Sequence, residues 1–245
     1  MTYCIGMKLA TGLLFMSDTR TNAGVDNISN VRKMKSWDVP GERTITLMSA
    51  GNLATTQAVV AWLDERNLAP DERNPSILTA PSMFEVARIV GDTLRTEVNT
   101  RAGQQTGQDA SAFSGTLIVG GQIAGAEPRL YLVYPEGNFI EATDDNPFFQ
   151  IGESKYGKPM LNRAFDPTMD WRAALKLCLV SMDSTVRSNL SVGPPFDVRY
   201  TADGALGPTH ERRFERSDPY YSQLSHGWSE AMRKAFAGLP DYTDE

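Results

Sequence analysis

The chain reads as an α+β protein in which two antiparallel sheets are covered by layers of helix. Three observations predict this. Strands and helices come in segregated runs, in the order strands, two helices, strands, two helices, strand, helix. Neighbouring strands are joined by short turns, at Thr11-Gly12, Pro40-Gly41-Glu42, Gly125 and Pro135-Glu136-Gly137. The helical stretches carry one apolar face each, as layers packed on a sheet do. At 245 residues there is enough chain for a core of two layers or more. No internal repeat, low-complexity tract or linker interrupts it, so residues 1–245 are expected to form a single domain.

The elements follow in order. Tyr3 to Lys8 predicts a strand, and Leu13 to Met16 a second one ending at Ser17-Asp18; together they make an N-terminal hairpin. Thr21 to Asn30 is polar and contains glycine, which predicts a loop. Lys33–Trp37 and Thr44–Ser49 predict the next pair of strands. From Asn52 to Arg66, Leu53, Val59, Val60, Trp62 and Leu63 recur largely on one helical face. After a proline-containing connection over Pro70–Pro81, Ser82 and Glu85 have the spacing of a capping box, and a helix runs to about Arg101. Residues 102–112 are small and polar, a loop. Strands over Gly115–Gly120, Arg129–Tyr134 and Asn138–Ala142 predict a meander, with Phe148–Ile151 as its short fourth member. Helices follow from Gly157 to Ala164 and after the cap Asp170, then a last strand over Phe196–Thr201. An amphipathic helix over Ser222–Ala237 and an acidic tail from Tyr242 close the chain.

Bulk composition excludes several function classes. A net charge of −6 argues against nucleic acid or an anionic membrane as the main partner. No apolar run approaches the roughly 20 residues that span a bilayer. The opening residues lack the basic region and apolar stretch of a secretory signal. The two cysteines, Cys4 and Cys178, have apolar neighbours and read as reduced core residues, which together predicts a cytoplasmic protein. The two histidines have no ligand spacing, and neither a phosphate loop nor a Gly-x-Ser-x-Gly elbow is present. No metal and no cofactor is expected.

One constellation carries chemistry. Removal of Met1 would leave Thr2 with a free amine and a hydroxyl on adjacent carbons, nucleophile and base in one residue. The hairpin brings Asp18 beside Thr2. Lys33, at the start of the third strand, can reach the same end of the sheet. Ser49-Ala50-Gly51 ends a strand where a helix begins, so the Gly51 N–H is an available oxyanion donor. An α-amine titrates near pH 8, and a neighbouring ammonium favours both its neutral form and an ionised hydroxyl. Each piece also has a plain structural reading: a surface turn at Asp18, a solvated strand end at Lys33, a helix-entry glycine at Gly51.

The opening Thr2–Gly6, the stretch Phe15-Met16-Ser17-Asp18-Thr19-Arg20-Thr21-Asn22-Ala23-Gly24, Lys33 and the Ala50-Gly51 step together resemble proteasome β-type subunits of the N-terminal nucleophile hydrolases. The segments Gly152–Pro159 and Ser188–Pro195 extend the resemblance over nearly the whole chain, toward the Anbu (ancestral β-subunit) family of bacterial proteasome homologues. That resemblance implies a four-layer αββα sandwich. It also implies Thr2 as nucleophile, Asp18 and Lys33 as its supports, Gly51 as oxyanion donor, and Ser154 and Ser191 near the terminal amine. Two positions depart from the proteasome pattern: Gly152-Glu153-Ser154 displaces a serine by one residue, and Ser188 stands where an aspartate is usual. By analogy the substrate pocket is expected near Thr21, Val31, Lys35, Ser49 and Leu53. There Lys35 either favours acidic side chains or simply faces solvent.

The resemblance implies a threonine-type peptidase acting on peptides or unfolded chains, assembled from copies of itself as a ring or an open helix. A small-amide acylase on the same fold and a weakly active or non-catalytic assembly protein are the alternatives. Whether an ATPase partner exists is left open.

Overall fold

The computed structural model describes residues 2–22, 28–104 and 110–243. Met1 and its removal, the centre of the expected 21–30 loop with Ala23-Gly24, the middle of the 102–112 loop and the last two tail residues lie outside the described residues.

The N-terminal hairpin forms as expected, from β1 (Tyr3–Leu9) and β2 (Gly12–Asp18). Arg20–Asn22 (β3) and Ile28–Asn30 (β4) pair as a short ribbon in place of an unstructured loop. β5 (Met34–Val39) and β6 (Arg43–Gly51) follow, so Lys33 lies just ahead of its strand. The next strands are β7 (Gly115–Ile123), β8 (Arg129–Val133), β9 (Phe139–Glu141) and β10 (Phe148–Gly152). β11 (Phe196–Ala202) is not the last strand: β12 (His210–Phe214) pairs with it at the sheet edge. The sequence His-Glu-Arg-Arg-Phe lacks apolar alternation because an edge strand can be polar and still take its ladder bonds.

The strands make two five-stranded sheets, ordered β10-β1-β2-β11-β12 and β5-β6-β7-β8-β9. β10 therefore does not complete the meander. It crosses to the first sheet and pairs antiparallel with β1, Tyr3 opposite Gly152.

The helices are α1 (Leu53–Asn67), α2 (Met83–Gln104), α3 (Lys158–Ala164), α4 (Trp171–Ser188) and α5 (Pro219–Ala237). Asn52 caps α1 by accepting from Thr55 N–H at 3.0 Å, and Asp170 caps α4 by accepting from Ala173 N–H at 2.7 Å. Only half of the Ser82/Glu85 box forms. Ser82 Oγ accepts from the Glu85 N–H, while the Glu85 carboxylate turns to Arg88. Trp62 is turned out of the α1 core face and donates to Glu97 of α2 at 2.6 Å.

Three apolar layers make this a four-layer αββα sandwich. Tyr3, Ile5, Met7, Leu14 and Met16 pack with Cys178, Leu179 and Met182 of α4. Cys4, Leu13, Phe15, Met48, Ile118 and Phe149 fill the space between the sheets. Ile45, Leu47, Leu117 and Val119 pack with Val59, Leu63, Val86, Val90 and Leu94 of α1 and α2. β1 is covered on both faces, which is why it reads as an unbroken apolar run. Gly6 faces the other sheet, and a Cβ there would lie 2.9 Å from Ile118 Cγ2. The sheets thus approach closely beside the strand that begins with Thr2.

Cys4 belongs to the layer between the sheets and Cys178 to the outer layer, so the thiols sit on opposite sides of the first sheet and are free. Burial pushes both thiols well above their ordinary range. A thiol-specific alkylating reagent at neutral pH is expected to leave the folded protein unmodified and to label both residues once it is denatured. Mass spectrometry reads the outcome directly.

Candidate active site

The site gathers at one end of the two sheets, where β1 begins and β2 and β6 end. Tyr3 follows Thr2 into the sheet, and its N–H donates to Asp18 Oδ1 at 3.0 Å. The hairpin register alone produces this, because pairing Cys4 with Ser17 brings Asp18 next to the start of β1. Lys33 Nζ donates to the same Asp18 oxygen at 2.6 Å and to the Arg20 carbonyl at 2.7 Å. Asp18 is 0% and Lys33 5% exposed. The remaining oxygen, Oδ2, accepts from Gly193 N–H at 3.3 Å. Burial pushes the Asp18 carboxyl up from its ordinary value, and the Lys33 ammonium with the two backbone N–H groups opposes that shift.

The second sheet meets this pair through β6. Ser49 N–H donates to the Lys33 carbonyl at 3.0 Å, and Cys4 Sγ lies 3.8 Å from the Ser49 carbonyl oxygen as its donor. Ala50 pairs with Thr116 and the Asn52 N–H donates to Ser114 O, so this edge of β6 bonds to β7. In the antiparallel pattern the peptide between Ala50 and Gly51 then points its carbonyl at β7 and its N–H the other way, toward the side where Lys33 precedes β5. Gly51 has φ +110°, and a Cβ there would lie 2.5 Å from the Ser114 carbonyl oxygen. Only glycine fits this turn into α1.

Ser154 and Ser191 lie on two segments that flank the start of β1. Glu153 N–H donates to the Thr2 carbonyl at 2.7 Å, extending the β1–β10 ladder, and Ser154 follows it in a tight bend. Ser191 lies in the loop between α4 and β11, its N–H donating to Asn189 Oδ1 at 2.9 Å. Ser188 is exposed, and its hydroxyl donates to the Ser184 carbonyl within its own helix at 2.9 Å. It therefore gives nothing to the site.

A cleft of about 600 Å³ opens beside Lys33, between β5 and α1 on one wall and β11 and β12 on the other. Lys35, Ser49 and Leu53 line it, together with Arg32, Asp197 and Arg213. Thr21 and Val31 are not among the lining residues. Val31 N–H donates to the Thr19 carbonyl at 2.8 Å, and Thr21 pairs with Ser29, which keeps both residues with the ribbon. Lys35 shares a strand face with the core residue Trp37 and so turns toward α1. Its Nζ lies 3.0 Å from Asp64 Oδ2, while Trp37 Nε1 donates to the other Asp64 oxygen at 2.6 Å. Its charge is thus already matched, by a half-exposed pair of small energetic weight.

Arg20 and Arg32 were not singled out from the sequence. Arg20 Nη1 donates to the Leu190 and Val192 carbonyls at 3.0 and 3.5 Å and holds the loop that carries Ser191. The available signal was its position two residues after Asp18. Arg32 had no comparable signal, since its place in the cleft depends on β11 and β12. Among the described residues no group of His, Cys, Asp and Glu is arranged to hold a metal ion, and no helix is long and apolar enough to cross a membrane.

No protein-family model and no curated protein matches the chain, but solved structures do. An Anbu (ancestral beta-subunit) protein from Yersinia bercovieri is 44% identical over 99% of both chains, with a TM-score of 0.91. The chain belongs to the Anbu family. Anbu from Hyphomicrobium sp. strain MC1 is 46% identical over 99% of this chain and 100% of that one, with a TM-score of 0.89. A helical assembly of the Anbu complex from Pseudomonas aeruginosa contains a chain 42% identical to this one, over 99% and 98% of the two, at a TM-score of 0.91. Anbu proteins fall in the proteasome-related superfamily, which fits the αββα layering found here.

Proposed function

We propose that this chain is a threonine-type amide hydrolase, a peptidase that uses Thr2 as its N-terminal nucleophile once Met1 is removed. The observation that carries the reading is the buried Asp18–Lys33 pair beside the start of β1, with Lys33 also lining a cleft able to take a side chain. A buried ion pair is a poor route to stability, so its presence beside a strand end favours a chemical role.

In this mechanism the Thr2 amine accepts the hydroxyl proton, and Oγ attacks the substrate carbonyl. Lys33 favours the ionised oxygen electrostatically, and Asp18 fixes the ammonium in place. The Gly51 N–H donates to the tetrahedral oxyanion, a contact worth about 3 kcal/mol of barrier. The protonated amine then gives its proton to the leaving nitrogen, and an ester forms on Thr2. A water, deprotonated by the same amine, attacks that ester and releases the acid product. Ser154 and Ser191 are assigned to supporting the amine. Lys35, Ser49 and Leu53 are assigned to the substrate side chain.

The helical assembly of the Pseudomonas relative supports self-assembly of this chain, and the reading places that assembly, an open helix or a ring, in the cytoplasm. An assembly-only role is the second reading. It is favoured by Ser188, whose hydroxyl stays within its helix and brings no carboxylate to the site. Intact mass before and after an epoxyketone, which requires both the hydroxyl and the amine of a terminal threonine, separates the two. A species lacking Met1 that gains one adduct, lost in Thr2→Ala, is the expected result. A processed protein that gains none rejects the hydrolase.

A further inference from the structure

We infer that Glu153 is a positioning residue, which acts through Asn189 to hold the Ser191 loop against the strand end that bears Thr2. The inference rests on Thr2 being the nucleophile. Glu153 continues the β1–β10 pairing one step beyond Tyr3 opposite Gly152, with its N–H on the Thr2 carbonyl at 2.7 Å. Residues opposed in this way stand close side by side. Its carboxylate is nine-tenths buried, and Oε2 accepts from Asn189 Nδ2 at 2.9 Å. The same Asn189 side chain uses its oxygen to accept from Ser191 N–H at 2.9 Å, and its carbonyl accepts from Val192 N–H at 3.2 Å. One carboxylate and one amide therefore join the neighbour of Thr2 to the backbone of Ser191.

The same loop is also held from β2, by Arg20 on the Leu190 and Val192 carbonyls on either side of Ser191 and by Gly193 N–H on Asp18. A surface ion pair does not account for Glu153. Lys155 Nζ is 3.4 Å from Oε1, but that side chain is 69% exposed, and such pairs contribute little. The bond to Asn189 is shielded and charge-assisted, roughly twice as strong as a neutral one. Without it the loop keeps its contacts to Arg20 and Asp18 but loses the link to the neighbour of Thr2, and small misplacements near a nucleophile lower rates steeply.

The test uses the full-length processed protein and an epoxyketone probe in five forms: wild type, Glu153→Ala, Glu153→Gln, Asn189→Ala and the Glu153→Ala/Asn189→Ala double variant. Saturation kinetics of adduct formation separate binding from the bond-forming step, and hydrogen exchange is followed in the peptide that covers Ser191. The expected result in Glu153→Ala is at least a ~10-fold slower bond-forming step, unchanged probe affinity and ~10-fold faster exchange at Ser191. Glu153→Gln keeps an acceptor for Asn189 and restores most of both. The Glu153→Ala/Asn189→Ala double variant is no worse than Asn189→Ala alone, because that change already breaks the Glu153 link. Unchanged exchange and unchanged adduct rate in Glu153→Ala overturn the positioning role while leaving Thr2 as nucleophile. Absence of any adduct in processed wild type overturns the nucleophile instead, and the exchange data then decide the Glu153 link alone.

Discussion

Lys33→Ala is expected to abolish epoxyketone labelling of Thr2 and to destabilise the fold at neutral pH by about 3 kcal/mol. The size follows from what is left behind. Asp18 stays fully buried after its ammonium partner at 2.6 Å is gone, with only the Tyr3 and Gly193 N–H groups as donors. For a chain of this length that amounts to a drop in Tm of roughly 6–12 °C. The loss also depends on pH, with a definite sign. Burial already raises the Asp18 carboxyl, and without Lys33 it rises further. A carboxyl whose folded value lies above its unfolded one stabilises the fold fully below the unfolded value, about 4, and loses that contribution as pH rises through the folded value. The gap between variant and wild type should therefore be widest at neutral pH and narrow on acidification. Melting curves of both proteins across that range test this, and a gap that widens in acid would contradict a buried, uncompensated Asp18.

Gly152→Ala is expected to slow labelling of Thr2 on the order of 100-fold, although residue 152 takes no chemical part. Gly152 holds φ +81°, and a Cβ on it would lie 1.9 Å from the Thr2 carbonyl oxygen. Alanine there pays for the left-handed backbone, about 1–2 kcal/mol, and must also push the start of β1 away from β10. A shift of about 1 Å at a reacting group costs on the order of 100-fold in rate. The discriminating comparison is with Gly125→Ala. Gly125 has φ +78° but open space around it, so it carries the backbone cost without the collision. Equal labelling rates in Gly152→Ala and wild type would show that the Thr2 strand end tolerates displacement and would refute the argument.

Much of this molecule was legible from local signals. Apolar alternation and turn residues located the β1–β2 and β5–β6 hairpins, and helical periodicity, with the cap Asp170 for α4, located α1 and α4. The hairpin register put Asp18 beside Thr2, because a tight two-strand turn leaves one pairing compatible with both apolar faces. Elements whose stability comes from their neighbours were not legible. β12 is polar and forms because β11 offers a free edge. The β3–β4 ribbon has no core to mark it. β10 joins the first sheet because it pairs along the edge of β1, a partner far from it in the chain.

The site divides in the same way. For the proposed site, Thr2, Asp18, Lys33 and Gly51 were legible as candidates, since each sits at or beside the end of an element whose position the local pattern already specifies. What only the tertiary structure decided is how distant segments meet. Lys35 turns to Asp64, so its charge is matched before any substrate arrives. Thr21 pairs with Ser29 and the Val31 N–H bonds to Thr19, and neither residue lines the cleft beside Lys33. Glu153 and Asn189, 36 residues apart, share a hydrogen bond. Local periodicity encodes which face of an element is apolar, but a contact between elements far apart in the chain exists only once the layers have packed.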